Sequence, residues 1–274
     1  MKIRLPESVF QQPEQFVLVI LLHPSRCSLM IFSPDNRAGV FFADDSQERL
    51  HGGLASFREW FFENELFALP FKDVRIINHS HDYTFLPAVI DANIYGPEFI
   101  KYISSKKGGT VINNKIEKPE LQIVHRIPES TYQFFLRSFI NPEFIHHSAP
   151  LLEYFSSQSS VSLSSRMYIC CQGNEMDIIC FASGGKLLLF NTYHVRNVDD
   201  MIYFISFTWK QMKLNQKSDV IYLAGDIETD GELAQNLRPF IRNIDQSFSG
   251  DEIPVILKLS VSKRPDFPVV KLHC

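Results

Sequence analysis

The sequence has 274 residues, of which 45% are hydrophobic and 21% are charged, a composition that is typical of a folded globular protein and excludes a disordered chain. Its formal net charge is −4, from 27 basic and 31 acidic residues mixed along the chain, so we expect neither nucleic acid nor an anionic membrane surface as a partner. The longest apolar run, residues 16–22, is shorter than the roughly 20 residues that a membrane-spanning helix needs. Glu7 and Glu14 interrupt any apolar segment near the N-terminus, so we expect no secretory leader and no membrane insertion. Because the five cysteines are odd in number and show no CxxC spacing, we expect a reduced, cytoplasmic protein.

The first half of the chain predicts a meander of three short strands. The apolar runs that predict them are residues 16–22, 27–32 and 40–43. Residues 33–36 contain Pro, Asp and Asn and predict the turn between the second strand and the third.

A helix and a fourth strand are predicted after this meander. Asp45 and Glu48 have the spacing of a helix capping box. Apolar residues then recur at helical spacing, at Leu50, Leu54, Phe57 and Phe61. Residues 73–77 predict a strand that, being reached through a helix, lies parallel to the first strand.

The second half of the chain predicts the same order of elements. Its three strand runs are residues 167–171, 177–181 and 187–190. Gly173 and Asn174 supply the first turn, and Asn197 with Asp200 has capping-box spacing. The apolar stripe of the helix consists of Met201, Phe204, Ile205 and Met212. Residues 219–223 then predict the parallel strand.

The segments between and after these halves complete the predicted organisation. The further predicted elements are a strand at residues 121–127, a helix at 128–140, a short apolar piece at 144–147, a helix at 150–155 and an edge strand at 255–261. Residues 156–165 contain seven serines and predict a flexible connector, and residues 106–120 predict a second mobile stretch. The duplicated order therefore predicts two lobes, residues 1–157 and residues 158–274.

Three strands, a helix and a parallel strand, present twice, resemble the ribonuclease-H-like halves of the actin-like ATPase superfamily. The predicted fold is thus α/β and two-lobed, with a mixed sheet in each lobe. Most of residues 10–250 follow this order, and the chain resembles a bacterial family of uncharacterised proteins with the actin-like fold, with a more distant similarity to the PilM family.

The resemblance implies a nucleotide cleft between two hairpin turns, each led by an acidic residue that holds magnesium or activates water. In this sequence the first turn, residues 22–27, contains no carboxylate, and Pro24 removes a backbone donor. The second turn also lacks the leading aspartate. The adenosine motif of the superfamily, an apolar strand that ends in small residues and glycine, is matched better than the two turns, by the strand that ends at Gly225. The residues that correspond to the cleft are Gly173, Asn174, Glu175, Gly225 and Asp226.

Loss of both acidic positions predicts a pseudo-enzyme with no catalytic residues and no cofactor, because phosphoryl transfer depends on charge neutralisation. We expect a scaffold or adaptor that binds a protein partner. An apolar patch for such a partner is predicted at Trp60, Phe61, Phe62 and Phe67. The alternative is that packing of the lobes covers these side chains. One alternative is an ATP-binding switch that uses magnesium, and a second is a metal-dependent nuclease, for which the central strands offer only Asp177.

Histidines and cysteines could also form a site. His79 and His81, with Asp82, follow the predicted fourth strand, but two histidines do not make a zinc site and loop hydrogen bonding is the preferred interpretation. His146 and His147 are adjacent, so in a strand they would point to opposite faces. The vicinal Cys170 and Cys171 lie in an apolar strand and are interpreted as core residues. We therefore predict no metal site.

Overall fold

The computed structural model describes residues 7–23, 26–34, 40–45, 54–104, 108–225, 227, 231–249 and 269–271. The chain divides into two compact units. Unit 1 comprises Met1–Ile116, Glu120–Ala149 and Val261–Cys274, and unit 2 comprises Glu117–Pro119 and Pro150–Ser260.

A six-stranded sheet forms the centre of unit 1. Its strands are β1 (Val17–His23), β2 (Arg26–Phe32), β3 (Val40–Asp45), β4 (Asp73–Asn78), β8 (Glu143–His146) and β14 (Val269–Lys271), in the order β14-β3-β2-β1-β4-β8. The first three strands form the predicted antiparallel meander, and β4 pairs parallel to β1, as predicted. Strand β14 pairs with β3 at the sheet edge, whereas the strand predicted at residues 255–261 lies outside the described residues.

Helices cover one face of this sheet. They are α1 (Glu7–Gln11), α2 (Leu54–Glu63) and α4 (Glu129–Ser138), with short 3₁₀ helices at Pro13–Gln15 and Glu65–Ala68. Helix α2 is the predicted crossover between β3 and β4, although Glu48 and Leu50 of its predicted start lie outside the described residues. Phe57 of α2 and Phe135 of α4 pack with ring centroids 5.3 Å apart, in one core with Leu18 and Ile20 of β1. Burial of this aromatic and aliphatic surface is the main stabilisation of unit 1.

A smaller antiparallel sheet completes unit 1. It consists of β5 (Tyr83–Pro87), β6 (Thr110–Ile116) and β7 (Leu121–Ile127) in the order β5-β7-β6, and α3 (Ala92–Ile103) packs against it. The prediction of a mobile stretch at residues 106–120 is therefore wrong for Thr110–Ile116. The polar composition of this segment does not indicate a strand, but its polar side chains form hydrogen bonds with those of the neighbouring strand. The Asn113 amide donates to the Gln122 side-chain oxygen over 2.8 Å.

Unit 2 repeats the predicted plan with a five-stranded sheet. Its strands are β9 (Arg166–Gln172), β10 (Glu175–Phe181), β11 (Leu187–His194), β12 (Val220–Gly225) and β13 (Asn243–Ser249), in the order β11-β10-β9-β12-β13. Strands β9, β10 and β11 form the antiparallel meander, and β12 pairs parallel to β9. The parallel pairs β1–β4 in unit 1 and β9–β12 in unit 2 confirm the predicted β-β-β-α-β order in both units.

The described part of unit 2 contains three helices. They are α5 (Ser148–Ser159), whose first two residues belong to unit 1, α6 (Val198–Gln211) and α7 (Glu232–Leu237). Asn197 caps α6, since its side chain accepts a 2.9 Å hydrogen bond from the Asp200 backbone. Asp200 in turn accepts a 3.0 Å hydrogen bond from the Arg196 backbone. The predicted start of this helix is confirmed.

The serine-rich segment is not the flexible connector that its composition predicts. Residues 156–159 are the last residues of α5, and Ser159 and Ser162 are buried. The Ser159 hydroxyl lies 3.0 Å from the Tyr168 hydroxyl, and the Ser162 hydroxyl donates to the Ser164 carbonyl over 2.8 Å. The prediction fails because serines that find internal hydrogen-bond partners can be buried.

Candidate functional site

The turn between β9 and β10 holds three of the residues that the sequence assigns to the nucleotide cleft. Gly173 has φ 56°, a left-handed conformation that glycine adopts without strain, and with Asn174 it forms a two-residue hairpin turn. Glu175 begins β10 and is buried, and its Oε1 lies 3.2 Å from Nδ1 of His194 on the neighbouring strand. Within unit 2 the carboxylate of Glu175 thus contacts an imidazole.

Gly225 lies at the same end of the sheet because β12 runs parallel to β9 and pairs it with Cys171. Its φ of 81° is left-handed, and a Cβ atom there would overlap the Cys171 carbonyl oxygen. The structure therefore brings Gly225 next to the strand that leads into the Gly173 turn. Asp226 lies outside the described residues.

The two strands that this turn connects, β9 and β10, contain a buried carboxylate and buried thiols. Asp177 of β10 accepts a 2.6 Å hydrogen bond from the Thr192 hydroxyl. Burial, together with the nearby Asp177 carboxylate, raises the pKa of Cys170 well above its ordinary value, so this thiol is protonated at neutral pH. Burial also raises the pKa of Cys180 to about 12. Cys170 and Cys171 are both buried core residues, as predicted.

The sequence interpretation missed a row of three histidines in unit 1. His23 ends β1, His79 follows β4 and His147 follows β8, and these three strands are parallel neighbours. Backbone hydrogen bonds extend the pairing through the row: His79 N–H donates to the Leu22 carbonyl and His147 N–H to the Asn78 carbonyl, over 2.9 and 3.1 Å. The ring centroids of His23 and His79 are 4.8 Å apart, and those of His79 and His147 are 3.8 Å apart. We call these residues the histidine row.

Further histidines surround the histidine row. The ring of His146 lies 4.4 Å from that of His147 and 5.1 Å from that of His125, between ring centroids. The prediction that His146 and His147 point apart is wrong, because β8 ends at His146 and the chain turns at His147. His146 is held by the Ser148 hydroxyl at 2.6 Å and the Ser80 carbonyl at 2.9 Å.

Burial lowers the pKa of His79, His125 and His146. It lowers the pKa of His79 far below the ordinary value, and the neighbouring His147, His23 and His81 lower it further. Burial, with a contribution from His147, lowers the pKa of His125 to about 3. At neutral pH the rings of His79 and His125 are therefore neutral, and each can accept a hydrogen bond or bind a metal ion through a ring nitrogen.

Asp82, which the sequence grouped with His79 and His81, has another role. Its carboxylate accepts a 2.9 Å hydrogen bond from the Arg126 guanidinium, and both side chains are largely buried. Arg126 also donates to the Ser104 hydroxyl. This ion pair ties the start of β5 to β7 and occupies the carboxylate.

A second feature of unit 1 is a groove of about 1000 Å³ between α2, the 3₁₀ helix Glu65–Ala68 and α4. We call it the aromatic groove; its lining includes Arg58, Phe61, Phe62, Phe67, Phe134 and Arg137. Phe61 stacks on Phe67 with centroids 5.0 Å apart, whereas Phe62 is 78% exposed. The Arg58 guanidinium lies 5.1 Å from the centre of the Phe134 ring. Phe61, Phe62 and Phe67 of the predicted apolar patch thus line one groove.

In the part of the chain that the structure describes, no helix combines the length and the apolar character that are needed to cross a bilayer.

Comparisons with known proteins identify the fold and the family. A Bacteroides thetaiotaomicron VPI-5482 protein with actin-like ATPase fold and unknown function is 27% identical, with a TM-score of 0.78 over 90% of this chain and 94% of that chain. One chain in the structure of the PilM–PilN type IV pilus biogenesis complex is 10% identical to this chain, with a TM-score of 0.59 over 89% of this chain and 97% of that chain. No curated protein matches the sequence. Residues 7–244 match the family described as "Protein of unknown function (DUF3822)". The chain therefore has the actin-like ATPase fold and belongs to the DUF3822 family.

Proposed function

We propose that this protein is a non-catalytic scaffold or adaptor that binds a segment of a protein partner in the aromatic groove. The observation that carries the proposal is the 78% exposure of Phe62 at a groove that three further phenylalanines line. Exposed aromatic side chains beside a concave apolar surface are typical of protein-binding sites. A similar structure, PilM, is described in a complex with PilN, which supports a role in protein assembly for this fold.

The charges at the groove define the chemistry of the partner segment. Arg58 and Arg137 line the aromatic groove together with one acidic residue, Glu65. Arg58 and Arg137 are both exposed, so their guanidinium groups are available to carboxylates of a ligand. The expected segment therefore carries an aromatic or aliphatic anchor with acidic residues beside it.

The cleft residues support the non-catalytic part of the proposal. A magnesium ion at the phosphates needs carboxylate ligands, but the strand before the first turn ends at His23 and the strand before the second ends at Gln172. The carboxylate of Glu175 contacts His194 and is buried. On this proposal the protein hydrolyses no ATP.

Selection of peptides from a random displayed library tests the groove. We expect peptides with an apolar anchor and acidic neighbours to bind the wild-type protein and to bind Phe62→Ser at least tenfold more weakly. Phe207→Ser is the matched control, because Phe207 is 50% exposed on α6 of unit 2. Equal binding by both variants, or no selection of acidic apolar peptides, would contradict the proposal.

The second candidate is an ATP-binding switch. The specific observation in its favour is that the Gly173 turn and Gly225, both left-handed, lie at one end of the sheet in unit 2. Calorimetric titration with ATP and with ADP, each with magnesium, separates the two candidates. Binding tighter than about 1 mM that is lost in Asp226→Ala would favour the switch, and a flat titration of folded protein would favour the adaptor.

A further inference from the structure

The position of the histidine row follows from the topology of the sheet in unit 1. Leu22 pairs with Asn78, and Asn78 pairs with His146, so the next residue on each strand is His23, His79 or His147. All three therefore lie at the carboxyl ends of adjacent parallel strands. In open α/β sheets this is the end of the sheet at which ligands bind.

Ring nitrogens of His79 and His147 lie close to each other. The His79 and His147 rings stack with an interplanar angle of 18°, and one ring nitrogen of each lies within 4.8 Å of the other. In a tetrahedral zinc site, nitrogens at about 2.0–2.1 Å from the ion are about 3.3 Å from each other. Zinc binding therefore requires side-chain rotation that brings the two nitrogens at most about 1.5 Å closer. The same rotation must turn the rings out of their stacked arrangement, because the lone pair of each nitrogen lies in the plane of its ring.

A ring nitrogen of His79 bears on zinc binding. Nδ1 of His79 is buried and has no hydrogen-bond partner in the described part of the protein. A buried polar atom without a partner is unfavourable and is rare in folded proteins. Coordination of an ion through this nitrogen would remove the penalty.

We propose that His23, His79 and His147 bind a divalent transition-metal ion, with zinc as the expected ion. Three imidazole nitrogen ligands select zinc and its neighbours over magnesium or calcium, which prefer oxygen. Three protein ligands leave a fourth position for water or for a group of a bound molecule. This site is separate from the aromatic groove and does not depend on the proposed adaptor function.

Zinc titration of chelator-treated full-length protein tests the proposal. We expect one zinc ion per chain with micromolar or tighter affinity, and a loss of at least 100-fold in His79→Gln and in His147→Gln. His194→Gln is the matched control, since His194 is an exposed imidazole in unit 2, and its zinc affinity should stay within twofold of wild type. Circular dichroism of each variant establishes that it is folded.

X-ray absorption of the zinc-loaded wild-type protein gives a second test that needs no variant. We expect nitrogen ligands at about 2.0–2.1 Å with the scattering pattern of at least two imidazoles, and no sulfur at about 2.3 Å. Absence of zinc binding, a sulfur-ligated ion, or affinity that both histidine variants retain would overturn the proposal.

Discussion

Replacement of Gly225 by alanine tests whether the glycine at the end of β12 is required by packing. Gly225 has φ 81°, and a Cβ atom at this position would overlap the Cys171 carbonyl oxygen of the neighbouring strand. Gly184 is the matched control: its φ is 79°, but nothing lies within 4 Å of its added Cβ. Both variants carry the backbone strain of a left-handed alanine, and only Gly225→Ala adds the steric conflict.

The magnitudes of the two substitutions can be separated. A left-handed conformation costs a residue with a Cβ atom about 1–2 kcal/mol, which is the whole expected loss for Gly184→Ala. In Gly225→Ala, relief of the overlap requires β12 or β9 to move, which weakens about two backbone hydrogen bonds worth about 1 kcal/mol each. We therefore expect Gly225→Ala to lower the free energy of unfolding by about 3–4 kcal/mol, about 2 kcal/mol more than Gly184→Ala.

Urea unfolding measures this difference. Trp209 is buried in unit 2, so its fluorescence in a Trp60→Phe background reports the unfolding of that unit. Hydrogen exchange of the β12 amides should accelerate in Gly225→Ala and stay near wild type in Gly184→Ala. Equal destabilisation by the two substitutions would refute the reasoning, because the contact with Cys171 would then contribute nothing.

Three further predictions concern local contacts. Arg126→Met leaves the largely buried Asp82 carboxylate without this cation, so it should lower the free energy of unfolding in urea by about 3 kcal/mol. The control Glu143→Gln removes the more exposed ion pair with Arg75 and should change the same free energy by less than about 1 kcal/mol. Asn197→Ala removes the cap of α6 and should cost about 1 kcal/mol, with faster hydrogen exchange confined to the first turn; loss spread over the whole helix would argue against the cap. Because burial raises the pKa of Cys180 to about 12, its thiol stays protonated below that pH, and mass spectrometry should find it unmodified by a thiol reagent at pH 8 until the protein unfolds.

The repeated strand and helix order could be predicted from the sequence because its signals are local. Residues 16–22 are an uninterrupted apolar run, and the run forms β1, which is buried from both faces. Asn197 and Asp200 have capping spacing, and the Asn197 side chain accepts the hydrogen bond from the Asp200 backbone that this spacing implies. The Asp200 side chain accepts from the backbone of Arg196, one residue before the cap. Each of these signals lies within one element, so no knowledge of strand pairing is needed to use it.

The histidine row could not be predicted in this way because it depends on register. His23, His79 and His147 are separated by 56 and 68 residues along the chain, and only the pairing of β1 with β4 and of β4 with β8 places them in one row. A partial signal existed: His23 and His79 each follow the apolar residues of a predicted strand, and these two strands are predicted to be parallel. The sequence analysis grouped His79 with His81 and grouped His147 with His146, which are neighbours along the chain, and not with histidines on adjacent strands.

The contact at Gly225 bears on how the cleft residues are interpreted. In the superfamily that the chain resembles, a glycine at this strand end accompanies nucleotide binding. Here the approach of the Cys171 carbonyl demands glycine whether or not a nucleotide is present. The same holds at Gly173, whose left-handed φ of 56° suits a two-residue hairpin turn. Because the fold alone explains why both residues are glycine, the case for the ATP-binding switch rests on their common position at one end of the sheet and not on their being glycines. The nucleotide titration therefore discriminates between the two functions, and the glycine variants do not.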